Sequence, residues 1–359
     1  MRALRIYAGP VARRHIQDAG LLPSDICTIP GAAGGPKGLI LGALDRFIFG
    51  RWLTQSSQPV HLIGASIGAW RMATACLDNP TDAFLRLEHD YIHQHYAPQA
   101  GEKRISVAAV SAVFRNNLEM FYKGRLSEVL HHPRYSLHII TARGRHILGR
   151  EQNWRMALGF LGAWLSNAVQ RKAMAAWLER VVFSTQDLVL PFDRDDYRTV
   201  QRHLNGVNFL DSLQASCSIP FLLGAVHDIA GAPPGVYWDG GLIDYHLHLN
   251  YANAPGAKGL VLYPHFQRAV IPGWLDKRLK WRHQASPFLD NMVLLAPDPD
   301  WVRTLPNGKL PDRTDFGFYG QDLAGRVRDW STATAASVQL AEEFEQWLER
   351  PGLELVQAL

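Results

Sequence analysis

The chain has 359 residues, 47% hydrophobic and 19% charged, which excludes a disordered protein and leaves enough apolar sequence for a large core. A net charge of +4 and a pI of about 9.0 are too weak to argue for nucleic acid, and no motif for it is present; the anionic contact they favour is a surface such as phospholipid headgroups. The N-terminal Met1-Arg2-Ala3-Leu4-Arg5-Ile6-Tyr7 lacks the apolar run of a secretory signal, and no stretch approaches the ~18 to 20 apolar residues of a membrane-spanning helix. Cys27, Cys76 and Cys217 are scattered and odd in number, and read as buried free thiols of a reducing compartment; no Cys/His cluster suggests a metal. The expectation is a cytoplasmic protein that reaches a membrane only peripherally.

Along the chain, Ile26-Cys27-Thr28-Ile29-Pro30 reads as a short buried strand entering a glycine-rich loop, and Leu39 to Ile48 has helical spacing of apolar residues. Val60 to Gly64 is the next strand and runs to Ser66. A helix is predicted from Ile67 to about Leu77, stopped by Asp78-Asn79-Pro80. Strand, loop, helix, strand, turn, helix is the rhythm of a parallel sheet with crossover helices. Tyr135 to Thr141 and Arg180 to Thr185 read as two more strands, separated by an aromatic-rich helical insertion from Trp154 to Trp177. Phe209 to Leu223 reads as a helix broken near Ile219-Pro220, Gly235 to Trp238 leads into a turn at Asp239, and Gly259 to Tyr263 is a further strand. Residues 321–349 read as one long helix with Leu323, Val327, Trp330, Leu340, Phe344, Trp347 and Leu348 near one stripe. The expected fold is α/β, a three-layer sandwich on a mainly parallel central sheet. One domain is expected over residues 1–359, with a motif-bearing core over about 25–265, a helical insertion over about 145–180 and a C-terminal helical region over about 320–350.

Three short segments carry chemistry. Gly64-Ala65-Ser66-Ile67-Gly68 has the G-x-S-x-G form of a nucleophile elbow, in which Gly64 and Gly68 permit a tight strand-to-helix turn with the serine hydroxyl projecting from it. The Ile67 amide, at the helix N-terminus, is a donor for an oxyanion. The same five residues also suit a plain strand-to-helix turn. The loop Gly31-Ala32-Ala33-Gly34-Gly35-Pro36-Lys37-Gly38 fails as a phosphate loop, because Pro36 precedes the lysine and Gly38 follows where a hydroxyl residue is needed for magnesium. It lacks the G-x-G-x-x-G spacing of a dinucleotide loop. It suits an oxyanion loop, with the Gly34 and Gly35 amides as donors and Lys37 adding positive charge. Asp239-Gly240-Gly241 supplies an isolated carboxylate in a close turn, fit to be a base or simply a structural turn; Asp244 is a weaker candidate. His246 and His248 follow in the Ser…Asp…His order of ordinary α/β-hydrolases and keep a histidine base open. His227 and His265 read as core or surface histidines.

Taken in this order, the segments resemble the patatin-like phospholipase family, over roughly residues 25 to 250. Gly34, Gly35, Lys37 and Gly38 match that family's G-G-x-[RK]-G loop, Ser66 its nucleophile, and Asp239, with Gly240 and Gly241, its D-G-[GA] turn. Ala215-Ser216-Cys217-Ser218-Ile219-Pro220-Phe221 is similar to its A-S-x-[AS]-x-P segment. The resemblance implies a patatin-like fold, a Ser66–Asp239 dyad without histidine, no metal or organic cofactor, and hydrolysis of lipid carboxylic esters through an acyl-enzyme. Ala33 departs from the pattern where the fullest form of the loop has a third glycine, and nothing after about residue 265 matches.

The implied partner is a lipid or ester substrate, with peripheral contact to an anionic membrane surface, and neither nucleic acid nor an obligate protein partner. Met156 to Leu165, flanked by Arg150, Arg155, Arg171 and Lys172, is expected to be a buried helix. Arg268 to His283 interleaves Trp274 and Trp281 with Lys277, Arg278, Lys280 and Arg282, and suits a solvated basic face and a lipid headgroup layer equally. Two other functions remain open: an esterase or thioesterase for soluble acyl groups or short polyesters, and a catalytically silent lipid-binding protein of the same fold.

Overall fold

Short, almost wholly apolar runs build the centre of the molecule. The computed structural model describes residues 1–96, 105–186, 189–254 and 259–359. Its strands are β1 (Leu4–Ala8), β2 (Ile26–Gly31), β3 (Val60–Gly64), β4 (Tyr135–Gly144), β5 (Leu178–Ser184), β6 (Thr199–His203), β7 (Val226–His227), β8 (Val236–Asp239), β9 (Leu260–Pro264), β10 (Met292–Pro297) and β11 (Val356–Ala358). They form one sheet whose main path runs β11-β1-β10-β9-β2-β3-β4-β5-β6, with β8 pairing β4 and β7 pairing β8 off that path. From β10 to β4 every neighbour is parallel, whereas β1 meets β10 and β5 meets β4 antiparallel. Helices cover both faces. β2, β9 and β10 are buried along their whole length, as strands covered on both sides must be, and their residues are accordingly apolar without alternation. The α/β class and mainly parallel sheet expected from the sequence are present.

Differences from expectation have local causes. The C-terminal helical region is two helices, Leu323–Ala336 and Val338–Glu349. At the junction the Ser337 hydroxyl donates to the Thr334 carbonyl at 2.7 Å, the kind of local bond that competes with the helix ladder. The stripe itself is real, since Trp330, Leu340, Phe344 and Trp347 are buried across the break. The helical insertion is present as Asn153–Val169 followed by a 3-10 segment, Arg171–Ala176. It is not the buried helix expected: Met156, Gly159 and Ala163 face inward, while Trp154, Leu158, Leu161, Leu165 and Val169 lie exposed. Cys27, Cys76 and Cys217 are buried and free, and no helix among the described residues is long and apolar enough to cross a membrane.

The feature that positions the site is the length of β4. Over its ten residues it has two neighbours on one edge. β3 runs parallel along its first half, from Val60 opposite Tyr135 to Gly64 opposite Ile139. β8 runs antiparallel along its second half, from Tyr237 opposite Arg143 to Asp239 opposite Thr141. β5 occupies the other edge from His138 to Gly144, so β3 and β8 share the remaining one. They therefore point at each other and stop two β4 residues apart, a gap of roughly 7 Å at the usual strand rise. The chain leaving β3 carries Ser66, and the chain leaving β8 begins at Asp239.

The elbow helix Ile67–Ala75 is held from behind by a buried ion pair. Arg71 donates to Asp45 through Nε and Nη2, both at 2.7 Å, and neither side chain reaches solvent. Removing one partner strands the other charge in the core. Arg71→Met is expected to lower unfolding stability by about 3–5 kcal/mol in denaturant titration. The double variant Arg71→Met/Asp45→Leu should recover a substantial part of that loss.

Candidate active site

Ser66 is where β3 turns into the elbow helix, at φ 58° and ψ −133°, a left-handed conformation that costs energy for any residue with a side chain. Close contact explains the flanking glycines. A Cβ on Gly64 would lie 2.4 Å from the Ala69 Cα, and one on Gly68 would lie 1.8 Å from the Gly31 carbonyl oxygen at the end of β2. The elbow is also pinned from the side. The Ser66 amide donates to the Ser216 hydroxyl at 3.0 Å, which in turn donates to the Ile140 carbonyl at 2.7 Å. Ile140 is the β4 residue inside the gap, so one hydroxyl ties the helix Phe209–Cys217, the elbow and the sheet together.

Asp239 enters the gap from the other side. Its amide donates to the Ser218 carbonyl at 2.9 Å, and its carboxylate accepts the Gly241 amide at 2.7 Å. Gly240 packs so close to β4 that a Cβ there would sit 2.2 Å from the Ile140 oxygen. Burial pushes the carboxyl above the usual carboxylate range, while Arg313, the Ser66 hydroxyl, the Gly241 amide and Lys277 act in the opposite direction. The Ser66 hydroxyl is thus among the groups that act on the carboxylate, after Arg313 and before the Gly241 amide.

The amides of Gly34, Gly35 and Ile67 donate to no acceptor among the described residues. Gly35, at φ +59°, opens a 3-10 segment, Gly35–Leu41, and Ile67 opens the elbow helix, so neither amide has an acceptor earlier in its own helix. Ala33, the departure from the glycine pattern, has its amide committed to the Tyr245 carbonyl at 2.9 Å. Its methyl is accommodated by Gly241, where a Cβ would lie 2.7 Å away. Gly38 rests against the Ile67 side chain. The Lys37 ammonium lies 5.5 Å from the centre of the Phe266 ring, and Lys37 is not among the residues that border the cavity at Ser66.

Ser66, Gly35 and Ile67 border a cavity of about 420 Å³ whose other walls are mainly apolar, among them Trp70, Phe114, Leu223, Phe316 and Leu323. Asp239 borders an adjoining crevice, and Arg313 and Ile219 form part of both walls. Neither His246 nor His248, the histidines considered as bases, borders the cavity or the crevice. His248 bonds the Val270 carbonyl through Nδ1 at 2.9 Å and the Ser286 hydroxyl through Nε2 at 2.8 Å, and burial pushes it down to about 4. His246 meets the Ala269 carbonyl through Nδ1 at 3.1 Å and is held far below its usual range by burial. His265 is buried and His227 pairs with Glu151 at 3.1 Å. Asp244 is gripped by Arg180 through Nε at 2.6 Å and Nη2 at 2.7 Å, so it is a structural counter-ion.

Three site residues had weak or no sequence signal. Ser216 lies in the matched A-S-x segment, but its hydrogen bonds are a product of the fold. Arg313 lies in Pro311-Asp312-Arg313-Thr314-Asp315, which has neither motif nor periodicity. His95, exposed at the cavity rim, had no signal either. No protein-family model matches the chain, and no curated protein does.

Arg313 is the largest influence opposing the effect of burial on Asp239. Where Asp239 must be ionised to take a proton, activity falls as pH drops through its pKa. Arg313→Gln removes positive charge and raises that pKa further, so the acidic limb of the kcat/KM profile should move to higher pH. A merely structural role would lower activity without moving the limb.

Proposed function

We propose that the chain is a serine hydrolase that cleaves carboxylic esters of lipids, a patatin-like lipid acyl hydrolase. One observation carries the reading: a serine on a strained elbow and a buried carboxylate approach from opposite sides of a gap in the sheet, beside three amides with no acceptor among the described residues.

In the proposed reaction the Ser66 hydroxyl attacks the acyl carbonyl carbon and passes its proton to Asp239. The carbonyl oxygen, now negative, takes hydrogen bonds from the Gly34, Gly35 and Ile67 amides. As the tetrahedral species collapses, the bond to the alcohol oxygen breaks and Asp239 returns the proton to that oxygen. The alcohol or lysolipid leaves. Water then gives a proton to Asp239 and attacks the Ser66 ester, and collapse releases the fatty acid while the proton returns to the Ser66 oxygen. A raised carboxyl pKa suits Asp239 to this work, because a base whose pKa lies nearer the working pH takes the proton with less penalty.

The cavity favours a long acyl group over a small soluble one. An apolar cavity of about 150 Å³ holds one benzene, so 420 Å³ accommodates one fatty acyl chain. Its volume is also within the roughly 300–1,000 Å³ of ordinary ligand pockets.

Ser66→Ala and Asp239→Asn should each lower ester turnover by about 1,000-fold or more while leaving thermal unfolding nearly unchanged. The assay compares phospholipid vesicles with water-soluble p-nitrophenyl esters of short and long acyl chains. Turnover that survives either substitution contradicts the dyad, and a preference for the shortest soluble ester contradicts the lipid assignment.

A further inference from the structure

The helix Asn153–Val169 is apolar on the side that faces away from the protein. Trp154, Leu158, Leu161, Leu165 and Val169, spaced four, three, four and four residues apart, are 59%, 54%, 53%, 53% and 88% exposed. That spacing puts them on one face. Between Arg155 and Arg171 the chain has no charged residue. The solvent side of a surface helix is ordinarily charged and polar, and an apolar stripe of this length marks a contact surface.

Two neighbours extend the stripe. Phe160 on the same helix meets the Phe221 ring, 6.3 Å between centroids. Phe221 and Leu222 are about half exposed, and Leu222 borders the Ser66 cavity, so the apolar surface continues to the cavity mouth. At the other end, Arg282 donates to the Asn167 side chain at 3.1 Å, and both hold Asp276. These bonds dock the segment Lys280–Arg282 on the helix C-terminus with Trp281 66% exposed. The two segments of the sequence that combine tryptophan with basic residues are thereby brought to one surface.

We infer that this surface seats on an anionic lipid surface and turns the cavity mouth toward it. Charge selects that occupant over a protein. Exposed Arg150 and Lys172 flank the apolar stripe and exposed Lys280 lies beside its end, while the nearby acid, Glu151, is occupied by His227. Arg155 stacks over the Trp154 ring at 5.1 Å. Apolar stripe, indoles at its ends and cations at its rim are what an interfacial helix presents to acyl chains, the carbonyl layer and anionic headgroups in turn. The orientation rests on the lipid-ester reading: a cavity sized for one chain requires the remainder of the lipid to stay in the surface while the ester reaches Ser66.

The test uses the full chain carrying Ser66→Ala, so that binding is read without hydrolysis. Vesicles of phosphatidylglycerol with phosphatidylcholine, and of phosphatidylcholine alone, are sedimented with the protein at low and physiological salt. Binding should favour the anionic vesicles and weaken with salt. Adding Leu158→Gln, Leu161→Gln and Leu165→Gln together should cut partitioning about tenfold or more. In the otherwise native chain, the same three substitutions should leave turnover of a short soluble ester unchanged, which also establishes that they fold. Lys172→Glu with Lys280→Glu should remove the preference for anionic vesicles. Equal binding by the triple variant overturns the inference. So does a dimer that the triple variant disperses without any vesicle binding, since the stripe is then a contact between two copies. If vesicles are bound but no ester is cut by the native chain, docking stands and the hydrolase reading falls.

Discussion

Two strands that run into each other on one edge of a third create the site. β4 is long enough to pair β3 with its first half and β8 with its second, and the sheet register therefore fixes how far apart their ends must be. Neither Ser66 nor Asp239 is placed by a flexible loop. Ser66 lies two residues beyond the end of β3 and Asp239 is the last residue of β8, so the paired strands hold both in position. The carbonyl of Ile140, left without a strand partner in the gap, is satisfied by the Ser216 hydroxyl, and that same hydroxyl receives the Ser66 amide. An unmade hydrogen bond in the structure's interior is thus converted into a brace for the strained elbow.

Electrostatics follow from the same geometry. A carboxylate at the end of a buried strand is desolvated, which raises its pKa. Arg313, reaching in from a distant part of the chain, and the Gly241 amide oppose that rise. Among the described residues no cation pairs directly with Asp239, in contrast to Asp244, whose two short contacts with Arg180 bind it as a counter-ion. Asp239 and Asp244 lie five positions apart in the chain, and their surroundings differ in kind.

The strands around the motifs were legible because each begins or ends at glycine, proline or an abrupt change from apolar to polar residues. β2, β3, β4, β5 and β9 follow strands read from the sequence, while β8 occupies the run from Gly235 to Trp238 that was read only as leading into the Asp239 turn. β1, β10 and β11 were not: Leu4–Ala8 is interrupted by Arg5, Met292–Pro297 is an apolar run without periodicity, and Val356–Ala358 is three residues long. Periodicity also could not tell which side of an apolar helix is covered. Asn153–Val169 carries apolar residues on both sides, so composition pointed to burial, and only the packing of Met156, Gly159 and Ala163 against the protein reveals the uncovered stripe. The elbow and the acidic turn were legible through glycines that close contacts demand. Arg313 was not, because its charge acts on Asp239 from more than seventy residues away in the sequence, and nothing local encodes that.

The central claim is that Ser66 is a nucleophile made reactive by Asp239. A fluorophosphonate that bonds covalently to activated serines, followed by peptide mass spectrometry, tests it directly. The account predicts one phosphonyl adduct, on the peptide containing Ser66, forming in the native chain and strongly slowed by Asp239→Asn. An unmodified Ser66 in folded protein, or labelling at Ser66 that proceeds at the same rate without the carboxylate, would contradict it.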